Sequence, residues 1–548
     1  MTEKLKIALA QVNLTVGDFS GNKDKILSYY DKVLAQNADL VVYPELCISG
    51  YPPEDLVLRK GFTKNSQETL DELIIATAGR NTAMVISAPI NEGGKIYNAL
   101  FVAENGRIIH QQYKHDLPNY GVFDEKRVFD SGQLPAPFEF RGARLGIFIC
   151  EDMWNMKVTE SLRGSDIVIS VNASPFEVGK HKKRINRAEE NIDVLHKPII
   201  YMNQICGHDD LVFDGDSFVI SRGKELLLRL SRYGEELAVT NWNKIENEWV
   251  CGSGEVAEYS CNEQVVYQAM MLGLKDYVEK NHFPGVIIGM SGGVDSALSA
   301  AIAVDALGAD KVRLVMMPSR YTSEESVIDA EKCARNLGVE LETISIEDAF
   351  EAFEDALSVP FSGKERDVTE ENLQSRIRGV LLMALSNKFG HMVLSTGNKS
   401  EMSVGYATLY GDMCGGYNVL KDAYKGQVFA LCKWRNGDIP EGSKGAEGEV
   451  IPQNIITKPP TAELRHDQKD EDSLPPYDVL DDILHQLIEQ EKCVEDIISG
   501  GHDREVVERI CHLLYISEYK RRQSPPGVKI SPKPFSRDRR YPITNRYR

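Results

Sequence analysis

Through the first 255 residues, short apolar runs alternate with longer polar stretches. Runs at 7–12, 40–43, 84–88, 145–150, 167–171 and 199–203 are each bounded by Gly, Pro, Asn or Asp, the punctuation expected of strands. Between several of them apolar positions recur at helical spacing, over 22–36 and 182–195. Strands alternating with helices predict an α/β layer fold. Its chemistry is expected where strands end in loops carried on a rigid sheet.

Around residues 245–259 the alternation gives way to polar, glycine-containing sequence, and a boundary is expected near residue 260. An amphipathic helix over 262–280 then opens a second α/β series, with strands at 285–289, 312–317, 341–344 and 391–394. The predicted domains are therefore 1–255 and 262–548. A stretch rich in Gly, Pro and charge, 436–476, is longer than an ordinary connection and predicts a lid or mobile segment. There is no internal repeat, and the two halves do not resemble one another.

Composition narrows the function classes. With 42% hydrophobic and 26% charged residues, the 548-residue chain is that of a folded, water-soluble protein. A formal net charge of −19 argues against sequence-independent nucleic-acid binding, where phosphate neutralisation supplies most of the affinity. It argues equally against an anionic membrane surface as partner. The 10 cysteines contain no CxxC, so neither a zinc ribbon nor a disulfide framework is indicated. With no signal-peptide pattern and no membrane-length apolar run, a reducing, cytoplasmic setting is expected.

The segment Gly289-Met290-Ser291-Gly292-Gly293-Val294-Asp295-Ser296 joins a predicted strand to a predicted helix. The paired glycines let backbone approach a ligand closely. Successive amides and the helix N-terminus then form an anion site. Asp295 beside a phosphate calls for an intervening cation, which makes it a candidate magnesium ligand. A glycine turn capped by Ser or Asp is the plainer reading, and the Walker pattern GxxxxGK[ST] is absent. SGGVDS resembles the signature of the ATP pyrophosphatase (PP-loop) family, which splits ATP into AMP and pyrophosphate and activates a carboxylate or carbonyl as its adenylate. That resemblance implies a Rossmann-type parallel sheet with helices on both faces, and ATP bound at the eight residues just named.

In the first half three strand ends carry reactive groups: YPE with Glu45, YKHDLP with Lys114, and FICEDMW with Cys150. Amide hydrolysis by a thiol needs a nucleophile, a proton acceptor and a cation near the developing oxyanion. Cys150, Glu45 and Lys114 supply these. Cys150 is expected to be an exposed nucleophile at a sharp strand end, with its thiol pKa lowered by the neighbouring ammonium. Taken alone, Cys150 reads as a buried core thiol, Glu45 as a helix cap and Lys114 as a solvated charge. Together, with KIALAQVNLTVGDFSGN and PELCISGYPPEDL, they resemble the nitrilase (carbon–nitrogen hydrolase) superfamily over most of residues 1–255. The resemblance implies an α-β-β-α sandwich, a supporting carboxylate at Glu125, and glutamine-side positions at Tyr120, Ser174 and Lys180. A cation at Lys180 suits an α-carboxylate, although residues 180–183 could also be a solvated helix start.

An amidase joined to an adenylating domain resembles the glutamine-dependent NAD synthetase family, and the resemblance extends over essentially the whole chain. Segments carrying it in the second half are ENLQSRIRG, STGNKSE, YGDMCGGYN, KPPTAEL and EYKRR. By that resemblance Thr396, Lys425 and Thr461 contact ATP. Asn372, Arg376, Glu401 and Lys520 hold deamido-NAD, and Glu401 joins Asp295 at Mg2+. Without it, Thr396 reads as an N-cap and Lys425 and Lys520 as surface charges. The implied substrates are deamido-NAD, ATP and glutamine, with no nucleic acid and no membrane, in a homo-oligomer whose subunit count stays open. A GMP synthetase would place its nucleophile in a GxCxGxQ context, and asparagine synthetase uses an N-terminal cysteine. A tRNA-thiolating enzyme would want cysteine pairs and a basic face. A degenerate binding scaffold would be expected to have lost the residues named above, and they are intact.

Overall fold

The continuous apolar runs become the centres of sheets. The structure is a computed structural model and describes residues 3–466, 468, 470 and 474–547. The chain divides into two compact units, one running to Cys206 with Val212–Tyr259, the other comprising Gly207–Leu211 and Ser260 onward.

Among the described residues, the strands before residue 260 are β1 (Lys4–Gln11), β2 (Leu40–Val42), β3 (Ala83–Glu92), β4 (Lys95–Glu104), β5 (Arg107–Tyr113), β6 (Phe138–Phe140), β7 (Ala143–Ile149), β8 (Ile167–Asn172), β9 (Ile199–Asn203), β10 (Ile205–His208), β11 (Leu211–Asp214), β12 (Phe218–Ile220), β13 (Leu226–Arg229), β14 (Glu236–Ile245) and β15 (Glu248–Cys251). Two large sheets form, in the orders β15-β14-β1-β2-β3-β4-β5 and β13-β12-β9-β8-β7-β6, beside a two-stranded β10-β11 pair. Their centres, β1-β2-β3 and β7-β8-β9, are parallel. β8 is buried along its whole length, the pattern of a parallel strand covered on both faces. Leu5, Ile7, Val42, Val85, Ile147, Ile169 and Trp242 share the core that contains both sheets. Trimming one of the aliphatic side chains there to alanine costs about 2–5 kcal/mol. Helices α1 (Phe19–Ala35) and α2 (Lys60–Ala76) cover the outer face of the first sheet. Helices α3 (Met156–Ser161) and α4 (Lys180–Leu195) cover that of the second. This is the expected α-β-β-α sandwich.

The second unit opens with α5 (Asn262–Lys280), β16 (Val286–Gly289), α6 (Val294–Leu307), β17 (Val312–Met316), α7 (Glu324–Leu337), β18 (Leu341–Thr343), α8 (Glu347–Leu357), α9 (Val368–Phe389), β19 (Met392–Leu394), α10 (Lys399–Val404) and α11 (Lys425–Gly437). All four strands are parallel, in the order β18-β17-β16-β19. The order reverses beside β16, so the loops after β16 and β19 flank the crevice in which open α/β sheets bind ligands. Further helices, Tyr477–Ile488 and Arg504–Ile516, pack with α10 around Leu480, Leu484, Val507 and Ile510.

Some expectations are corrected here. The polar stretch after residue 245 is not all loop: Glu248–Cys251 is an edge strand whose Trp249 and Cys251 turn inward while Val250 is exposed. The long β4–β5 hairpin and the 22-residue α9 gave no clear periodic signal. Within 436–476, a short helix at Gln453–Thr457 breaks the expected loop, and residues 467, 469 and 471–473 lie outside the described residues.

Candidate active sites in the two units

Three strand ends of the sandwich converge on one buried charge cluster. Lys114, just past β5, donates from Nζ to Glu45 Oε1 and to Glu125 Oε1, both at 2.8 Å. Glu45 Oε1 also accepts from Asn98 Nδ2 at 2.8 Å, and its Oε2 from the Ala173 amide at 3.1 Å. Tyr51 donates its hydroxyl to Glu125 Oε1 at 2.7 Å. Burial works against the Lys114 charge, but Glu125 and Glu45 outweigh it and hold the pKa well above the ordinary lysine value. Burial lifts the Glu125 carboxyl to about 7, with Lys114 pulling the other way.

Cys150 follows β7 directly, and its φ of 48° lies in the left-handed region that non-glycine residues avoid. Such strain costs about 1–3 kcal/mol and collects at functional sites. Asp152 holds the turn by accepting the amides of Ile149 (3.2 Å), His115 (3.1 Å) and Asp116 (2.8 Å), which ties the cysteine turn to the Lys114 strand end. Burial raises its carboxyl to about 7. Two expectations fail at the cysteine. The side chain is 6% exposed rather than open, and its thiol is pushed up instead of down, by burial first and then by Glu45, with Lys114 opposing. Burial and the Glu45 charge thus both favour the protonated thiol over the thiolate.

Around the cysteine, Tyr120 donates to both oxygens of Glu151 at 3.1 Å. The Trp154 ring has Lys180 at 5.9 Å and Arg187 at 5.6 Å from its centroid. Ser174 is buried, its hydroxyl accepting from Arg184 Nε at 3.2 Å and its amide donating to Asn203. Arg184 in turn pairs with Asp214 at 2.8 Å, both fully buried. Burial lowers the pKa of Lys180. Glu45, Lys114, Glu125 and Cys150 thus form one cluster, with Tyr120, Lys180 and Ser174 at its approach.

In the second unit a cavity of 310 Å3 lies at the strand C-termini, lined by residues 289–296, Thr396, Glu401, Lys425 and Thr461. Ser291 Oγ accepts from the Gly293 amide at 3.2 Å and lies 3.1 Å from Ser296 Oγ. Gly292 has φ +80°, and a Cβ there would sit 2.3 Å from the Ser326 carbonyl oxygen. No other residue fits that position without moving α7. Lys425 bridges Asp295 Oδ2 at 2.5 Å and Glu401 Oε1 at 3.1 Å. Asn398 caps α10, accepting from the Glu401 amide at 3.0 Å, and donates to Asp295 Oδ1 at 2.9 Å. One short loop therefore orients both carboxylates.

Asp295 and Glu401 are hard oxygen donors converging on one point, which suits Mg2+. Among the described residues there is no group of three or more His, Cys, Asp or Glu side chains that could enclose a metal. Mg2+ fits such a half-site because it commonly takes one or two carboxylates and completes its shell with water and substrate phosphate. Asn372, Arg376 and Lys520 gather on residues 405–409: Thr408 donates to Asn372 Oδ1 at 2.8 Å, Arg376 Nε donates to the Leu409 carbonyl at 3.2 Å, and Lys520 Nζ donates to the Gly405 and Ala407 carbonyls at 2.7 Å each. Tyr406, Gly411 and Asp412, on or next to this segment, line the cavity.

Several groups escaped the sequence reading. Asn98, Tyr51, Asp152 and Glu151 stand in the first site; Asn398, Arg378 and the Lys458–Glu463 pair stand in the second. Asp152 and Glu151 directly follow Cys150 and could have been flagged as flanking acids; Tyr51, Arg378, Asn398, Lys458 and Glu463 lie within the segments that carried the resemblance but drew no role, and Asn98 carried no local signal.

Residues 6–243 match the carbon-nitrogen hydrolase family and residues 266–524 the NAD synthase family. The chain is 44% identical to the glutamine-dependent NAD(+) synthetase of Rhodobacter capsulatus, with 100% of each chain covered. It is also 44% identical to that of Acinetobacter baylyi, covering 100% of this chain and 99% of the relative. A solved structure of glutamine-dependent NAD+ synthetase from Acinetobacter baumannii, in complex with adenosine diphosphate, aligns with a TM-score of 0.79 at 43% identity over 99% of both chains. Among the described residues no helix is long and apolar enough to cross a membrane.

Proposed function

The chain belongs to the family of glutamine-dependent NAD(+) synthetases, and on that premise we propose how its own residues amidate deamido-NAD to NAD with glutamine as nitrogen donor and ATP as energy source. The observation that carries the reading is the pairing, in one chain, of a strained Cys150 beside the Glu45–Lys114–Glu125 cluster with a strand-end cavity built on SGGVDS.

In the first unit the Cys150 thiol gives its proton to Glu45 as Sγ attacks the glutamine carboxamide carbon. Lys114 faces the oxyanion that forms, a preorganised charge of the kind that dominates acyl transfer. Glu125 and Tyr51 keep Lys114 charged and fixed. Glu45 returns the proton to the leaving nitrogen, the C–N bond breaks, and ammonia leaves a thioester. Water, deprotonated by Glu45, then attacks the thioester and releases glutamate and the thiol. Lys180 suits the glutamine α-carboxylate, and Glu151, oriented by Tyr120, suits its α-ammonium.

In the second unit the amides of 291–296 and the N-terminus of α6 offer donors to ATP phosphates, with Thr396, Lys425 and Thr461 around them. When bound, Mg2+ at Asp295 and Glu401 would neutralise phosphate charge. A nicotinate carboxylate oxygen of deamido-NAD attacks the α-phosphorus and pyrophosphate leaves. Ammonia then attacks the activated carbonyl carbon, AMP departs and NAD forms. Asn372, Arg376 and Lys520 support the dinucleotide. Ammonia must arrive unprotonated, since ammonium has no lone pair for the attack. None of the ten cysteines is in a disulfide, and a reducing, cytoplasmic setting is part of this reading.

The test is to incubate the protein with deamido-NAD, ATP, Mg2+ and glutamine. NAD, AMP, pyrophosphate and glutamate should appear in equal amounts when coupling is complete. ADP in place of AMP, or NAD made without consuming glutamine when no ammonium is added, sinks the reading.

A further inference from the structure

Arg184 is fully buried and has no step of its own in glutamine hydrolysis, yet its guanidinium grips the loop that carries Ser174. It lies on α4, one turn after Lys180. Nε donates to Ser174 Oγ at 3.2 Å, and Nη2 donates to the carbonyls of Ser174 and Pro175 at 2.7 and 3.3 Å. Nη1 lies 2.8 Å from Asp214 Oδ1. Burial works against the charge, but Asp214, Tyr201 and Asp216 outweigh it and keep the pKa above the ordinary arginine value.

Cys150, Ser174 and Asn203 all lie at the C-terminal ends of the parallel strands β7, β8 and β9. The backbone of the Ser174 loop is anchored there without Arg184. The Ser174 amide donates to Asn203 Oδ1 at 2.9 Å, and the Ala173 amide to Glu45 Oε2 at 3.1 Å. The serine hydroxyl, by contrast, takes its direction from Arg184. A guanidinium carries only donors, so Nε–H fills an acceptor position on Oγ and leaves the hydroxyl hydrogen for another oxygen. The Tyr201 hydroxyl is one such partner. Tyr201 and Lys180 both feel the charge of Cys150, which places this group of side chains beside the reacting thiol. An ammonium in place of the planar fork could not serve Asp214, Oγ and two carbonyls at once.

We propose that Arg184 is a positioning residue for glutamine: by donating to Ser174 Oγ it keeps that hydroxyl a donor, aimed at an oxygen of the bound glutamine. The inference rests on the reading that Ser174 receives glutamine. Arg184 itself touches no substrate. Asp214 keeps it charged, and its bonds to two carbonyls fix the angle at which it meets Oγ. A donor oriented beforehand loses less freedom when the substrate arrives, so the benefit falls on binding.

The test measures glutamate release by the full-length protein with saturating ATP, Mg2+ and deamido-NAD. Ser174→Ala should raise KM for glutamine about tenfold, the scale of one lost hydrogen bond. Arg184→Lys, which keeps a cation beside Asp214 but not the fork, should raise it by a similar factor with kcat little changed, the signature of lost binding. The double variant should be no worse than either single one, because both remove the same hydrogen bond. Alkylation of Cys150 by iodoacetamide, a small reagent that does not need Ser174, should run at the wild-type rate in all three when followed by mass spectrometry, which shows an intact first unit. If the lysine variant does not fold, Arg184→Gln combined with Asp214→Asn removes both members of the buried pair and should show the same rise. A wild-type KM in Ser174→Ala takes the serine out of the glutamine site and overturns the reading beneath the inference. A raised KM there with a wild-type KM in the Arg184 variants overturns the inference alone. So does a fall in kcat at unchanged KM, or a double variant whose KM rise is the product of the two single ones.

Discussion

In the first unit Lys114 is fully buried between two carboxylates at 2.8 Å, and each carboxylate is held from behind, Glu45 by Asn98 and the Ala173 amide, Glu125 by Tyr51. In the second unit Lys425 also lies between two carboxylates, yet all three border a 310 Å3 cavity. On the proposed mechanism the first arrangement is already competent, since its charges need not move for a neutral amide to react. On the same proposal the second is a resting arrangement, in which Lys425 neutralises Asp295 and Glu401 until nucleotide and metal arrive together. Both clusters compensate buried charge, because isolated ions in such places would be expensive. They differ in whether a ligand must rearrange the pairing.

That difference is broken most completely at the nucleophile. Cys150→Ala should reduce glutamine-dependent NAD formation by ~10^3-fold or more, since no other group can carry the acyl intermediate. Synthesis from added ammonium salts should stay near wild type, because the second site is untouched. Measuring both nitrogen sources on one preparation is decisive: loss of both with the fold intact would show that the two sites are not separable. The mirror experiment is Asp295→Asn. It should lower synthesis from either nitrogen source about 10^2-fold or more, as expected when a transition-state charge loses its support, while glutamine hydrolysis continues. Wild-type NAD formation in this variant would remove Asp295 from the metal.

A smaller effect separates the ion pair from the scaffold in the first cluster. The Glu125 carboxyl is raised to about 7, by burial first. Above that pH it is ionised and holds Lys114; as pH falls through about 7 it takes up a proton and the hold weakens. Glutaminase rate should therefore drop on the acid side with a midpoint near 7. Glu125→Gln should be slower by ~10-fold at pH 8 and should shrink that limb to what Asp152, also raised to about 7, contributes. A limb that persists unchanged in the variant assigns the titration elsewhere.

How much of this was legible in the sequence depends on whether a residue's role is local. Glu45 and Cys150 each announce themselves at the end of an apolar strand, Lys114 only through the YKHDLP segment, and SGGVDS lies between a strand and a helix. Asn98 does not. It sits within β4, and only the pairing of β4 with β3 and the fold of the sandwich bring it 2.8 Å from Glu45. Asp295 and Lys425 are 130 residues apart, and no spacing rule predicts their contact. The direction of the Cys150 shift was misread because a nearby lysine is visible in a motif, whereas burial is a tertiary property and here outweighs it. Trp249 was passed over for the reverse reason: its strand is four residues long, and the polar sequence around it reads as linker.

The mildest test concerns Lys520, where sequence reading assigned a charge to the dinucleotide and the structure gives the ammonium two backbone partners. Nζ donates to the carbonyls of Gly405 and Ala407 at 2.7 Å, and burial lowers its pKa. Residues 405–409 also engage Arg376 and Asn372. The proposed role of Lys520 toward the dinucleotide then includes fixing this segment as well as supplying charge. Lys520→Met should raise KM for deamido-NAD by ~5–10-fold, the size of one lost charge-assisted hydrogen bond, with kcat, KM for ATP and glutaminase rate little changed. Lys520→Arg retains the charge but replaces a compact ammonium with a planar fork that fits two adjacent carbonyls poorly. If charge alone mattered, arginine would restore wild-type KM; if the carbonyl contacts matter, arginine should fall between methionine and lysine. A fall in kcat at unchanged KM would instead place Lys520 at the reacting atoms.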